Sequence, residues 1–208
     1  MSLPHPPLLL VTDRHQARLA LGEVVAQALC AGCRWVSVRE KDLSADDQII
    51  VTRSLLVGRP DGARVTLHGD AALAKACAAD GVHLPAGSDP IRARALLGPG
   101  KLVGVSIHTV TEAEAIDPGV VDYAIAGPAY ETASKPGYGP EIGRKGLAEI
   151  ARAARVPVIA IGGINVARVA EVLAAGVAGI AVMGSVMRAA YPEQAMRALL
   201  ATVAGRGE

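Results

Sequence analysis

The sequence predicts a single-domain α/β protein, folded as a (β/α)8 TIM barrel over residues 1–208. Eight short apolar segments alternate with helical segments along the whole chain, a pattern typical of a compact barrel. No linker or low-complexity segment divides the chain, and 208 residues suffice for one sizeable core. The alternative is a Rossmann-like sheet with fewer strands, for which the expected dinucleotide-binding fingerprint is absent.

The predicted strands are almost continuously apolar, as expected for a parallel sheet that is covered on both faces. They lie at residues 8–11, 35–38, 64–67, 81–83, 102–106, 122–126, 156–161 and 179–182. Most of them are followed directly by polar residues or by glycine. In a barrel, catalytic residues come from these carboxyl ends and from the loops after them.

The predicted helices carry recognisable start and stop signals. Ser44, followed closely by two aspartates, is typical of an N-cap before a helix that reaches about residue 56. Asp89 caps another helix that has Pro90 at its first position. Gly32 ends the helix predicted at residues 19–29. Further helices are predicted after Asp70, at residues 109–115 and at residues 165–174.

The composition excludes several kinds of partner. The formal net charge is +1 and aromatic residues make up 2% of the chain, so a nucleic acid would find neither a basic stripe nor a stacking platform. No segment has the uninterrupted apolar length of a membrane span, and the N-terminus lacks the features of a signal peptide. We therefore expect a cytoplasmic protein with no membrane partner. Cys30, Cys33 and Cys77 cannot all pair, and we expect them to be small buried side chains.

Two glycine-containing turns near the C-terminus predict a phosphate site. Gly162 and Gly163 follow one strand, and Met183, Gly184 and Ser185 follow the next. Backbone N–H groups at such turns can point at an anion, and the missing Cβ lets the anion approach. A phosphate site after strands 7 and 8 recurs in TIM barrels, although the glycines alternatively form only a tight turn. We expect Gly163→Val or Gly184→Val to weaken phosphate binding and to leave the fold intact.

Polar side chains at the carboxyl ends of the other strands complete a candidate active site. The predicted catalytic residues are Lys41, His68 and His108, and the predicted substrate-binding residues are Arg39, Ser106, Thr132, Ser134 and Lys135. Histidine suits proton transfer because it titrates near neutrality. Alternatively, Arg39 and Lys41 form a solvated salt-bridge surface with Glu40 and Asp42, and Lys135 is only an exposed loop residue. Together these groups suit a small phosphorylated substrate.

With these residues in place, the chain resembles the thiamine-phosphate synthase and TenI family of small TIM barrels over nearly its whole length. The matching segments are LLLVTDR at residues 8–14, VREKD at 38–42, ADGVHL at 79–84, GVSIHT at 104–109, GPAYETASK at 127–135 and VPVIAIGGI at 156–164. Each segment is a weak signal alone, but their order and spacing are specific. The resemblance implies an enzyme of thiamine biosynthesis that acts on a thiazole phosphate.

The synthases of this family couple hydroxymethylpyrimidine pyrophosphate to thiazole phosphate and hold Mg²⁺ with two aspartates. The resemblance places one aspartate in an Asn-Asp pair after strand three, where this chain has His68 and Gly69, with Asp70 one residue late. It places the other after strand four, where a longer loop displaces Asp89. Ser37 stands where synthases usually have glutamine. A bound cation stabilises the leaving pyrophosphate, so we expect weak synthase activity unless Asp70 and Asp89 hold the metal.

TenI proteins lack that metal pair and are associated with tautomerisation of a carboxythiazole phosphate, which needs an acid/base group and an anion site. We therefore predict a TenI-type thiazole tautomerase, an isomerase that uses His68 or His108 and no cofactor. Pro128 departs from this branch, because one such site has a histidine there. The alternative is a thiamine-phosphate synthase, a transferase with Mg²⁺, and the second alternative is a non-catalytic thiazole-phosphate binder. The expected partner is a small phosphorylated thiazole, and the sequence is compatible with a homo-oligomer.

Overall fold

The computed structural model describes residues 2–132 and 140–205, which form a closed barrel of eight parallel strands. The strands are β1 (Leu8–Val11), β2 (Trp35–Val38), β3 (Arg64–His68), β4 (Gly81–Leu84), β5 (Leu102–Ile107), β6 (Tyr123–Ala126), β7 (Val158–Ile161) and β8 (Gly179–Val182). Each strand pairs with its neighbours in sequence order, and Leu8 of β1 pairs with Ile180 of β8 to close the barrel. The predicted TIM barrel is confirmed, and the Rossmann-like alternative is wrong.

Helices cover the outside of the barrel. They are α1 (Leu21–Cys30), α2 (Ala45–Leu56), α3 (Ala71–Ala76), α4 (Pro90–Leu97), α5 (Val110–Glu114), α6 (Gly143–Ala153), α7 (Val166–Ala174), α8 (Gly184–Met187) and α9 (Pro192–Ala204). Ser44 and Asp89 cap α2 and α4 as predicted, since each side chain accepts hydrogen bonds from backbone N–H groups of the first turn. In the part of the chain that the structure describes, no helix is both long and apolar enough to span a membrane.

Large side chains fill the amino-terminal part of the barrel interior. Trp35 and Tyr123 are the first residues of β2 and β6, and their rings meet edge to face with centroids 4.7 Å apart. Leu9 and Leu102 are buried in the same cluster. Gly104 of β5 makes room for the phenol, because a Cβ at this position would overlap the Tyr123 ring. The interior is therefore packed at this end, and space is left at the carboxyl ends of the strands.

All three cysteines are free thiols, and two of them are buried as expected. Cys33 and Cys77 pack between the strands and the helices. Burial raises the pKa of the Cys33 thiol to about 11, so this side chain stays protonated and packs as a small apolar group. Cys30 is exposed at the end of α1, contrary to expectation.

Candidate active site

A cavity of about 610 Å³ opens at the carboxyl ends of the strands. Most of the predicted site residues line it: Arg39, Lys41, His68, Ser106, His108, Thr132, Gly162, Gly163, Met183, Gly184 and Ser185. The structure thus brings the two glycine turns and the polar residues of β2, β3 and β5 into one space. Two further predicted residues, Ser134 and Lys135, lie outside the described residues.

The turn after β7 requires glycine at both of its positions. Gly162 and Gly163 have φ angles of 108° and 62°, in the backbone region that favours glycine. A Cβ on Gly163 would lie 2.5 Å from the Glu131 carbonyl oxygen, and one on Gly162 would lie 2.8 Å from Pro128 Cα. The expectation that Gly163→Val leaves the fold intact is therefore wrong, because the added side chain would displace the loop that follows β6.

The turn after β8 contributes a buried hydroxyl and a guanidinium. Ser185 Oγ is buried and has no hydrogen-bond partner within residues 2–132 and 140–205. Arg188 lies directly against Gly184, where a Cβ would overlap its guanidinium, and it also donates to the Gln16 side chain. An unpaired hydroxyl and a guanidinium that belong to the same turn suit an anion, since a phosphate oxygen can accept from either group.

Two arginines that line the cavity, Arg168 and Arg188, were not predicted as site residues. Arg168 lies in the first turn of α7, where its Nη1 donates to the Gly163 carbonyl oxygen at 2.9 Å. Its guanidinium also packs 4.3 Å from the centroid of the Tyr130 ring. Both arginines follow a glycine turn by about one helical turn, which is the sequence signal that could have identified them.

The charged residues after β2 divide into two sets. Glu40 is buried, and its Oε2 accepts from Arg14 Nη1 at 3.2 Å. Asp42 also pairs with Arg14, whose guanidinium holds the pKa of Asp42 well below its usual range. Arg39 and Lys41 alternate with these two carboxylates and line the cavity. Because both carboxylates pair with Arg14, the contacts favour the cavity interpretation of Arg39 and Lys41 over a surface salt-bridge network.

A pair of histidines lies on the neighbouring strands β3 and β4. His83 Nε2 is 2.9 Å from Ser106 Oγ, and the His83 ring centroid is 5.1 Å from that of His68. Burial, followed by the charge of Lys41, lowers the pKa of His83 to about 3. The His83 ring is therefore neutral near pH 7, and it fixes the Ser106 hydroxyl at the wall of the cavity. The sequence places His83 at a strand end of the barrel but leaves core packing at least as expected as catalysis, because it lies within an otherwise apolar strand.

The two aspartates considered for Mg²⁺ lie outside this cavity. Asp70 Oδ1 accepts from Ala72 N at 2.5 Å and from Leu73 N at 3.2 Å, and Asp89 Oδ1 caps α4 in the same way. Both aspartates line a separate recess beside α3 and α4. Within residues 2–132 and 140–205, no group of three or more His, Cys, Asp or Glu side chains is placed to share a metal ion. These side chains do not fit the magnesium site that the family resemblance implies.

The fold and the cavity define the class of protein, a (β/α)8 barrel with glycine turns and cationic side chains around its carboxyl-end cavity. The family model described as thiamine monophosphate synthase matches residues 8–186, and the chain belongs to that family. The thiamine-phosphate synthase of Roseiflexus sp. (strain RS-1) is 42% identical over 200 residues, which are 93% of this chain and 84% of that protein. The putative thiamine-phosphate synthase of Geobacter sulfurreducens is 41% identical over 96% of this chain and 95% of its own length. The solved structure of a thiamine phosphate pyrophosphorylase from Pyrococcus furiosus matches with a TM-score of 0.85 and 30% identity, over 97% of this chain and 96% of that one.

These relatives confirm the family resemblance and support an enzyme of thiamine biosynthesis. The prediction of a TenI-type thiazole tautomerase, an isomerase, is wrong, because the relatives are named as thiamine-phosphate synthases. Pro128 carries no titratable group at the position where the resemblance gives one tautomerase site a histidine. His108 Nδ1 lies 2.6 Å from the Gly127 carbonyl oxygen, so Nδ1 carries the hydrogen of this bond and Nε2 is the ring nitrogen left to exchange a proton.

Proposed function

We propose that this chain is a thiamine-phosphate synthase, a transferase that joins hydroxymethylpyrimidine pyrophosphate to a thiazole phosphate. The observation that carries the proposal is that one cavity contains two regions suited to anions. Gly163 and Gly184 belong to the first region, after β7 and β8. Arg39, Lys41 and His68 form the second, after β2 and β3. Strand β1 separates the two regions in the barrel order, so two phosphorylated substrates would be held side by side.

The reaction joins the two substrates between these regions. The thiazole nitrogen donates its electron pair to the methylene carbon of the pyrimidine, and a new C–N bond forms. The C–O bond to the pyrophosphate breaks, and its electron pair leaves on the pyrophosphate oxygen, so that thiamine phosphate and pyrophosphate are the products. We assign Lys41 and His68 to the leaving pyrophosphate, because donors at this position stabilise the charge that develops there.

The other predicted residues take binding roles in this proposal. We assign Arg39, Ser106 and Thr132, together with Ser134 and Lys135, to substrate binding. We assign the thiazole phosphate to Gly162, Gly163, Met183, Gly184 and Ser185. Nδ1 of His108 is held by the Gly127 carbonyl oxygen, and the other ring nitrogen, Nε2, would be presented to the substrates. Holding both substrates in one orientation accounts for much of the rate that such a site can supply. A single domain over residues 1–208, a cytoplasmic location and a homo-oligomer stay predictions.

The test is to incubate the purified full chain with both substrates and to measure thiamine phosphate and released pyrophosphate. We expect the two products in equal amounts. Lys41→Gln should slow product formation by about 100-fold or more, since it removes a charge that acts on the leaving group. Arg92→Gln, which removes an exposed cation outside the cavity, is the matched control. A folded wild-type chain that forms no thiamine phosphate above the enzyme-free rate would refute the proposal.

A further inference from the structure

The aspartates nearest to the implied magnesium site cap the N-termini of two helices. Asp70 and Asp89 each accept hydrogen bonds from two backbone N–H groups, at the first turns of α3 and α4. Turning either carboxylate towards the cavity would leave these groups without their cap and would destabilise the first turn of the helix. Neither side chain lines the cavity in which the substrates are placed. Both are therefore poorly placed as ligands of a metal in that cavity.

The other carboxylates around the mouth of the barrel are also engaged. Glu112 Oε2 accepts from His108 N at 2.6 Å and closes the capping box of α5. Glu40 and Asp42 pair with Arg14, as described above. Glu131 is the one carboxylate in the described lining of the cavity, and residues 133–139 contain no Asp or Glu. The cavity therefore offers one carboxylate where the family resemblance implies two aspartates.

The charge of the cavity instead favours an anion. Four cationic side chains and one carboxylate belong to the described lining, which gives a net formal charge of +3 without the histidines. Arg39, Lys41, Arg168 and Arg188 are the cations, and Glu131 is the carboxylate. A divalent cation would be repelled by this set, whereas a pyrophosphate would relieve the repulsion among its members.

We infer that this site holds the pyrophosphate group directly through Arg39, Lys41 and His68, without a magnesium ion bound by Asp70 and Asp89. The inference rests on the proposed function for the identity of the anion. His68 is the last residue of β3, where the family resemblance places the Asn-Asp pair of the metal-binding synthases. A neutral imidazole offers one N–H donor that a pyrophosphate oxygen can accept from, whereas the carboxylate of an aspartate offers only acceptors.

The test is calorimetric titration of the full chain with inorganic pyrophosphate, in one buffer with EDTA and in another with excess MgCl₂. We expect binding in EDTA, with a Kd no more than about threefold weaker than with magnesium, because direct contacts do not need the ion. Lys41→Gln should raise this Kd by about tenfold and His68→Ala by about fivefold, as expected for lost charge-assisted and neutral hydrogen bonds. Arg92→Gln is again the matched control.

Asparagine caps a helix as well as aspartate does, so Asp70→Asn and Asp89→Asn should fold normally. We expect each to change the pyrophosphate Kd by less than about twofold in either buffer. Binding that occurs only with magnesium and is lost in these two variants would overturn the inference.

Measuring thiamine phosphate formation in the same two buffers separates the two proposals. If thiamine phosphate forms with magnesium but pyrophosphate binds only with magnesium and not in the two aspartate variants, the proposed function holds and the inference is rejected. Pyrophosphate binding in EDTA without product in either buffer rejects the function and keeps the inference.

Discussion

Acidification should destabilise this protein through one buried histidine. His83 is 1% exposed, and its ring stacks on Tyr123 with centroids 5.6 Å apart. Burial is the main cause of its low pKa, and the charge of Lys41 adds to it. A protonated ring at this position would place a charge in a buried site near the cationic Lys41, so the folded chain resists protonation of His83.

The sign and size of the effect follow from the two pKa values of His83. The pKa is about 6.5 in the unfolded chain and about 3 in the folded one. The unfolded chain therefore takes up a proton at a pH where the folded chain does not. Stability is complete above pH 6.5 and falls as the pH drops from about 6.5 towards 3. At pH 5 the loss amounts to about 2 kcal/mol, a value that holds for any folded pKa well below 5.

Urea unfolding at pH 8 and at pH 5 measures this loss. We compare the wild type with His83→Gln, and the difference between the two pH values is the readout, whatever the variant does to stability at pH 8. The variant should lose about 2 kcal/mol less than the wild type between these pH values. The exposed His5 provides the control, since His5→Gln should keep the full wild-type loss. An equal loss in the wild type and in His83→Gln would show that His83 is not the group responsible.

Two further predictions concern side chains that shape the barrel. Thr12→Val should lower the free energy of unfolding by about 2 kcal/mol, because the buried Thr12 Oγ1 donates to Glu40 Oε1 at 2.7 Å and the carboxylate would lose this partner. Gly104→Ala should lower the free energy of unfolding by about 3 kcal/mol or more, since the new methyl group would overlap the Tyr123 ring. Gly22→Ala in α1 places a methyl group where no atom lies within 4 Å, so it should raise the free energy of unfolding by about 0.5 kcal/mol. Both are measured by urea unfolding at pH 8.

The controls for these variants use exposed positions. Thr202→Val removes a hydroxyl that is bonded only within α9, and its effect should stay within about 0.5 kcal/mol. A loss in Thr12→Val no larger than this would show that the Glu40 carboxylate finds another donor. Equal stabilities of Gly104→Ala and Gly22→Ala would contradict the close packing of the phenol against β5.

The strands were predicted well because a buried parallel strand leaves a simple signal. The bounds of β1, β2 and β8 agree with the predicted ones, since each is a short apolar run with clear ends. The errors lie at other strand ends. β3 extends to His68 because this residue pairs with His83 of β4, a contact between distant residues that no local apolar pattern reports. β6 begins one residue after Asp122, whose carboxylate accepts from Val103 N.

The site was harder to predict, because a polar residue near a strand end has several uses. Asp70 and Asp89 lie close in sequence to metal-binding positions, yet each caps the helix that follows. Arg188 lies beyond the turn after β8, and only the fold of α8 brings it back over Gly184. The activity was predicted wrongly because the displaced aspartates pointed away from a synthase, whereas the relatives that are 42% and 41% identical over most of the chain are named as thiamine-phosphate synthases.

The departure from the metal-binding pattern is built into the backbone after β3 and does not rest on side chains alone. Gly69 stands where the family resemblance places the aspartate, and its φ of 137° is a conformation that other residues rarely adopt. Its N–H donates to the His83 carbonyl oxygen at 2.9 Å, so pairing between β3 and β4 holds it in place. A Cβ on Gly69 would meet no atom within 4 Å, so the obstacle to an aspartate here is backbone strain rather than space. Restoring the carboxylate with Gly69→Asp would therefore require the end of β3 to change its path, while the glycine turns after β7 and β8 could stay as they are.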